Sequence, residues 1–138
     1  MILDNMTLQT PYLSLDSEFY DLTDPVPLDE PYLISFSPEA AKLIGLDSNS
    51  CDDPRFVELL NGTFSPKGSL PFAMCYAGHQ FGHYNPWLGD GRACNLGSVN
   101  GWNLQTKGSG ETLYSRTADG RAVVRSSIRE YLMSEAMH

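Results

Sequence analysis

Alternating apolar and polar positions predict a β-hairpin in the second half of the chain. Within RACNLGSVNGWNLQTKG, two such runs flank Asn100-Gly101, a pair that suits the two central positions of a type I′ turn. Together they predict a hairpin over about 92–107. Because neighbouring side chains of a strand point to opposite faces, Lys107 is expected on the polar face of the second strand.

Apolar residues at helical spacing predict three helices. SPEAAKLIGL and DPRFVELLNG each begin with a side chain that can cap a helix, followed by proline, and each has a glycine near its end. RAVVRSSIREYLMSEAMH predicts a helix over about 122–138, with a basic stripe if the helix begins early enough: Arg121, Arg125 and Arg129. This helix has no C-capping signal, which predicts that the natural protein continues.

These elements predict an α+β fold with an antiparallel sheet. Residues 1–70 hold the two short helices among aromatic, acidic and proline-rich sequence, and we expect them to form an N-terminal extension. Residues 71–138 are expected to carry the hairpin and the last helix as a second segment.

Charge is distributed unevenly along the chain. The net charge is −8, yet residues 59–138 hold seven basic and five acidic side chains, against two and twelve in residues 1–58. The overall acidity argues against a nucleic-acid partner. The basic second half is better suited to a small anion.

The sequence also indicates the compartment. No stretch approaches the roughly 18 apolar residues of a membrane span, and the N-terminus lacks the pattern of a secretory signal. The three cysteines form no CxxC pair, so neither a zinc cage nor a disulfide framework is expected. Free thiols are typical of a reducing compartment, and we therefore expect a cytoplasmic protein without a membrane partner.

The segment Gly89-Asp90-Gly91-Arg92 is the first candidate for chemistry. Two glycines one residue apart allow a backbone to approach a ligand closely and to present N–H groups to an anion. The alternative is a tight turn that simply opens the hairpin.

Lys107 and Glu130 form the second candidate. A strand lysine that binds phosphate needs a carboxylate to hold it, and Glu130 follows on the predicted helix. A glycine turn, a hairpin, a strand lysine and a helix glutamate follow one another in the small lobe of protein kinases. The alternative makes Glu130 the third residue of a capping box that begins at Ser127. A Walker A loop is excluded, because the lysine precedes its glycines.

Two further motifs are less specific. Asp119-Gly120-Arg121 precedes the last helix, where its backbone could bind phosphate or merely form the helix-entry turn. In GHQFGH, His79 and His83 are four residues apart, and with Cys75 they could bind a metal ion. The glycines disfavour a helix there, so packed or hydrogen-bonded histidines are the favoured interpretation.

Taken together, YAGHQFGHYNPWLGDGR and LQTKGSGETLYSRTADGRAVVRSSIREYLMSEAMH resemble the SelO (YdiU) family, most closely over about 75–138. The resemblance implies a protein-kinase-like small lobe that binds ATP in a flipped orientation. It also implies transfer of AMP, with Mg or Mn, to Ser, Thr or Tyr hydroxyls of other proteins. The residues that the resemblance marks as nucleotide contacts are Gly89, Gly91, Arg92, Lys107, Asp119 and Gly120, with Glu130 as the ion-pair partner of Lys107.

Length is the departure from this family, whose members are several times longer. The resemblance implies that the catalytic aspartate and metal ligands of the family correspond to positions beyond the last residue of this chain. We therefore expect no catalytic residue and no metal ligand here, and a chain that is inactive alone. Two rival functions remain: a nucleotide-binding pseudokinase or regulatory module without transfer activity, and a metal-binding interaction module.

Overall fold

A computed structural model describes residues 3–137 and confirms the α+β class. The strands are β1 (Tyr20–Leu22), β2 (Phe72–Met74), β3 (Gly78–Gln80), β4 (His83–Asn85), β5 (Ala93–Val99) and β6 (Trp102–Lys107). The main sheet is antiparallel, with strand order β1-β2-β5-β6, and β3 and β4 form a separate hairpin. The α-helices are α1 (Pro38–Leu43), α2 (Pro54–Asn61) and α3 (Val124–Met137). This arrangement is consistent with a kinase-like small lobe.

The predicted hairpin is confirmed as β5 and β6. Asn100 and Gly101 have φ values of 51° and 81°, and positive values at both positions are what a type I′ turn requires. The pairing register shifts between Asn95 and Gly97, which marks a bulge in β5. Beyond the bulge, Ala93 pairs with Lys107, so the lysine lies at the end of the sheet farthest from the turn.

The two short helices begin where their caps predict. The Ser37 hydroxyl accepts a hydrogen bond from the Ala40 amide at 3.5 Å, and the Asp53 carboxylate accepts one from the Arg55 amide at 3.0 Å. Gly62 ends α2 in the left-handed conformation, with φ of 78°.

The hydrophobic core draws on three separate parts of the chain. Leu3, Met6 and Leu8 are buried against Cys94 and Leu96 of β5 and against side chains from the α1–α2 region: Ala41, Leu46 and Leu59. The N-terminal segment therefore supplies core side chains rather than only covering the surface. Packing is continuous across residue 70, because β1 pairs with β2 through Asp21 and Ala73.

Helix α3 packs loosely, and none of its described side chains is buried. The helix begins at Val124, so Arg125 and Arg129 lie on it but Arg121 lies before it. The predicted basic stripe is therefore wrong for Arg121. The Arg121 guanidinium instead donates to the carbonyl oxygens of Val26 and Pro27, at 2.7 and 3.3 Å. None of the helices in the described part of the chain is long and apolar enough to cross a membrane.

Candidate functional site

The Lys107–Glu130 ion pair is present. Lys107 Nζ donates to Glu130 Oε2 at 2.7 Å, from the last residue of β6 to the second turn of α3. The capping-box alternative is wrong, because α3 begins three residues before Ser127 and the Ser127 hydroxyl donates to the Val123 carbonyl.

Backbone pairing between two glycine-containing segments brings the start of α3 to the end of β6. Residue Ser109 bridges to Arg121, and the Ala122 amide donates to the Gly108 carbonyl at 3.3 Å. The segments approach closely because they carry glycine: a Cβ on Gly120 would lie 1.9 Å from the Gly110 carbonyl oxygen. The GSG and DGR motifs therefore place Lys107 within reach of α3.

Basic side chains determine the electrostatics of Glu130. The hydrogen bond from Lys107 holds the pKa of the Glu130 carboxyl below its ordinary value, although partial desolvation opposes the effect. The charges of Lys107, Arg92 and Arg129 act in the same direction as the hydrogen bond. Glu130 thus stays ionised near neutral pH and keeps the lysine in place.

This shift makes the contact between α3 and β6 sensitive to acid. Because the folded-state pKa of Glu130 is lowered, its contribution to stability is present above the unfolded-state value of about 4.5 and is lost as pH falls through the folded value. Both side chains are about half exposed, so the effect on global stability should be small. NMR shifts of the α3 amides should follow this titration, and a Glu130→Gln variant should not show it. Equal titration in both proteins would contradict the assignment.

Arg92, Lys107 and Glu130 border a cleft of about 260 Å³. Its other lining residues are mostly hydroxyl-bearing: Ser126, Ser127, Tyr131 and Ser134, with Ala122. Two cations beside hydroxyl donors are suited to a phosphate-like anion. A second cleft, of about 340 Å³, lies on another side of Lys107 and is also bordered by Arg121.

The first three residues of the Gly89–Arg92 segment present no free N–H group, so the expectation that their amides bind an anion is wrong. The amides of Gly89, Asp90 and Gly91 donate to the carbonyls of Tyr76, Met74 and Gly89, at distances between 2.9 and 3.1 Å. Gly89, with φ of 52°, lies under the Tyr114 ring, where a Cβ would be 2.4 Å from the nearest ring atom. The glycines allow a compact turn, and Arg92 is the residue of this segment whose side chain lines the cleft.

The role of Asp90 was not predicted from the sequence. The residue is only 6% exposed, and its carboxylate accepts hydrogen bonds from three donors: Met74 N at 3.0 Å, Tyr76 Oη at 3.0 Å and Asn95 Nδ2 at 2.9 Å. The available signal was an aspartate between two glycines, after a run from Tyr76 to Gly89 that contains no Asp, Glu, Lys or Arg. Burial and the Asp90 hydrogen bond also raise the pKa of Tyr76 to about 12, so its hydroxyl remains a donor.

Asp119 and Gly120 form a turn rather than a helix N-terminus. The Asp119 carboxylate accepts from the Arg121 amide at 2.9 Å, and α3 begins three residues beyond that arginine. Asp119 is exposed, whereas Gly120 is buried against Gly110. The turn thus accounts for the sharp entry into the helix.

The histidines do not form a shared site. In the β3–β4 hairpin, His79 pairs with Tyr84 and His83 pairs with Gln80, so the two imidazoles lie on opposite faces. The His79 and Tyr84 rings are 5.2 Å apart, which supports packing on one face. Between residues 3 and 137 no group of three or more His, Cys, Asp or Glu side chains could hold a metal ion. This geometry removes the basis for the metal-binding module.

The cysteines are separate free thiols. Cys94 is buried in the core and donates to the Thr23 carbonyl at 3.1 Å. Burial raises the pKa of this thiol to about 12, so it is unreactive near neutral pH.

Comparison with known proteins places the chain in a family. A family model described as protein adenylyltransferase SelO matches residues 3–138. The chain is 48% identical over 141 residues to the protein nucleotidyltransferase YdiU of Thiobacillus denitrificans, covering 99% of this chain and 29% of that protein. It is 53% identical over 119 residues to the relative of the same name from Rhodopirellula baltica, covering 83% and 22%.

The chain spans less than a third of the length of these relatives. The match nevertheless runs through the hairpin, the glycine segments and α3, which are the elements that build the cleft. On this match the chain belongs to the SelO family.

Proposed function

We propose that this chain is the ATP-binding part of a protein adenylyltransferase, which transfers AMP from ATP to Ser, Thr or Tyr hydroxyls of other proteins. The names of the matching family and of the relatives, adenylyltransferase and nucleotidyltransferase, support this class of reaction. Since the chain spans only part of its relatives, we assign the transfer to the whole protein and expect this part alone to be inactive.

The observation that carries the proposal is the ion-paired Lys107 beside Arg92 at one cleft. In nucleotidyl transfer, an acceptor oxygen attacks the α-phosphorus and pyrophosphate leaves, so negative charge builds on phosphate oxygens. Fixed cations stabilise that charge without having to reorganise during the reaction. We assign phosphate contacts to Arg92 and Lys107, and further nucleotide contacts to Gly89, Gly91, Asp119 and Gly120. Because the amides of Gly89 and Gly91 already donate within the protein, we propose that these two glycines contact the nucleotide by packing rather than by amide donation.

The proposed Mg or Mn ion is not matched by ligands in the described residues. No metal-binding group of carboxylates, histidines or cysteines occurs there, and Glu130 is already paired with Lys107. We therefore propose that the metal ligands lie elsewhere in the whole protein.

One observation favours the second candidate, a nucleotide-binding regulatory module without transfer. Among the residues that line the cleft, the only carboxylate is Glu130, and it is engaged by Lys107. This cleft therefore offers no second carboxylate that could accept a proton from an incoming hydroxyl.

Labelled ATP distinguishes these functions in a full-length family protein that contains this segment. Transfer of α-phosphate label, but not γ-phosphate label, to a protein substrate is the expected result. Transfer of γ-label would indicate a kinase, and ATP binding without either label would indicate the regulatory module. The chain alone should bind ATP without transferring label, and transfer by the chain alone would contradict the division of roles.

A further inference from the structure

We propose that Asp90 is a positioning residue, whose buried carboxylate fixes the Gly89–Arg92 turn and so directs Arg92 toward Lys107 and Glu130. The effect of this role on nucleotide binding rests on the proposed function. The effect on the geometry of the cleft is independent of that function and can be measured without a nucleotide.

The three donors to Asp90 come from three different parts of the structure. Met74 belongs to β2, Asn95 to β5, and Tyr76 to the segment that leads into the β3–β4 hairpin. A carboxylate held from three sides fixes both the position and the orientation of the residue that carries it. Asp90 therefore ties the turn to the central strands of the sheet.

Two hydroxyls hold the backbone of the same turn. Thr112 Oγ1 donates to the Asp90 carbonyl at 2.7 Å, and Ser115 Oγ donates to the Gly91 carbonyl at 2.6 Å. The next carbonyl, that of Arg92, accepts from the Gly108 amide at 2.7 Å. The backbone on which Arg92 stands is thus fixed residue by residue, and its side chain leaves that backbone toward the cleft.

The hydrogen-bond network continues toward the lysine. Asn95, which donates to Asp90, accepts from Gln105 Nε2 at 3.0 Å. Gln105 precedes Lys107 by two residues on β6, so their side chains leave the strand on the same face. Asp90 thereby connects the turn that carries Arg92 with the strand that carries Lys107.

An Asp90→Asn substitution tests this role with little change in size. One carboxylate oxygen becomes an NH2 group. If it replaces the oxygen that accepts from Met74 N and Asn95 Nδ2, those donors meet a donor; if it faces Tyr76, the phenol must reverse its hydrogen bond. In either case the turn loses its charge-assisted hydrogen bonds and is held less firmly. Removing a negative charge would by itself lower the pKa of Glu130, since one like charge has gone. Displacing Arg92 would raise that pKa, because the carboxylate loses a nearby cation. The sign of the change separates positioning from a direct charge effect.

The quantity to measure is the pKa of the Glu130 carboxyl, which ¹³C NMR of this chain can monitor during a pH titration. Asp90→Asn should raise this pKa by roughly half a pH unit. Arg92→Gln should produce a similar rise, and the double variant should show no further rise. Asp16→Asn, at an exposed aspartate whose side chain makes no capping hydrogen bond, should leave the value unchanged. A folded Asp90→Asn protein in which the Glu130 pKa is unchanged or lower would overturn the proposal.

ATP affinity is measured in the same proteins. If wild type binds ATP, Asp90→Asn should weaken binding by about threefold to tenfold, which corresponds to the loss of one hydrogen bond. If wild type does not bind ATP but the Glu130 pKa still rises in Asp90→Asn, the proposed binding function fails and the positioning role stands.

A milder variant covers the case in which Asp90→Asn does not fold. Tyr76→Phe removes one donor to Asp90 and keeps the aromatic ring. It should raise the Glu130 pKa in the same direction by a smaller amount. If it leaves that pKa unchanged, the proposal is overturned.

Discussion

Replacing Lys107 with alanine should weaken ATP binding by about tenfold to a hundredfold, the range expected for one charge-assisted hydrogen bond to phosphate. Lys107 already has its partner in place, since Glu130 Oε2 lies 2.7 Å from its ammonium. The ligand therefore meets a cation whose position is already fixed. A ¹⁵N–¹H NMR titration of the chain with ATP, followed at the amides of Gly89, Lys107 and Asp119, measures the effect.

Three further variants distinguish the effect of the Lys107 charge from the effect of its position. Lys67→Ala removes another exposed lysine and should bind ATP as wild type does. Lys107→Arg keeps the charge but changes its geometry, and should lose less affinity than alanine. Glu130→Gln keeps Lys107 but removes its charged partner, and should lie between wild type and Lys107→Ala. If Lys107→Ala binds ATP as tightly as wild type does, the role of Lys107 is wrong.

Gly120→Ala should strongly destabilise the chain, because the added methyl group has no room. Gly120 has φ of 67°, which alanine adopts at a cost, and its new Cβ would lie 1.9 Å from the Gly110 carbonyl oxygen. The nearest atoms belong to the backbone of residues 110 and 111, which cannot move aside as the end of a flexible side chain can. We expect a loss of roughly 2–5 kcal/mol in the free energy of unfolding, from the left-handed conformation and the overpacking together. Thermal unfolding measures it.

Gly101→Ala is the matched control for that experiment. Gly101 also has a positive φ, of 81°, but no heavy atom lies within 4 Å of its added Cβ. Only the conformational cost of about 1–2 kcal/mol should remain. Equal losses for the two variants would mean that the added methyl group on Gly120 is accommodated without cost, which would contradict the close approach of the 108–110 and 120–122 segments.

Short sequence motifs correctly predicted the hairpin turn and the first residues of the two short helices. The Asn-Gly pair placed the hairpin turn, and two polar residues followed by proline placed the starts of α1 and α2. Each of these signals acts within a few residues of backbone, so neighbouring sequence is sufficient to detect it. Helix α3 was also predicted, although its start was placed two residues early and Arg121 was counted in its stripe.

The sequence predicted the Lys107–Glu130 contact of the candidate site, but not the hydrogen bonds that hold the neighbouring Gly89–Arg92 turn. Lys107 and Glu130 were paired on the order of motifs along the chain, and their contact is present. The Gly89–Arg92 turn was expected to present amide groups to a ligand, yet those of Gly89, Asp90 and Gly91 are satisfied internally. The Asp90 carboxylate was overlooked because its donors lie 16, 14 and 5 residues away, on separate elements.

By itself, the sequence determined the α+β class, the hairpin, the helix starts and the presence of a strand lysine with a helix glutamate, because these follow from residue type and spacing over short distances. Only the tertiary structure decided that Leu3, Met6 and Leu8 enter the core and that His79 and His83 face apart. Only it showed that a buried Asp90 holds the turn beside the cleft. Those outcomes depend on which distant segments meet, and that is settled by burial and hydrogen-bond satisfaction summed over the whole fold.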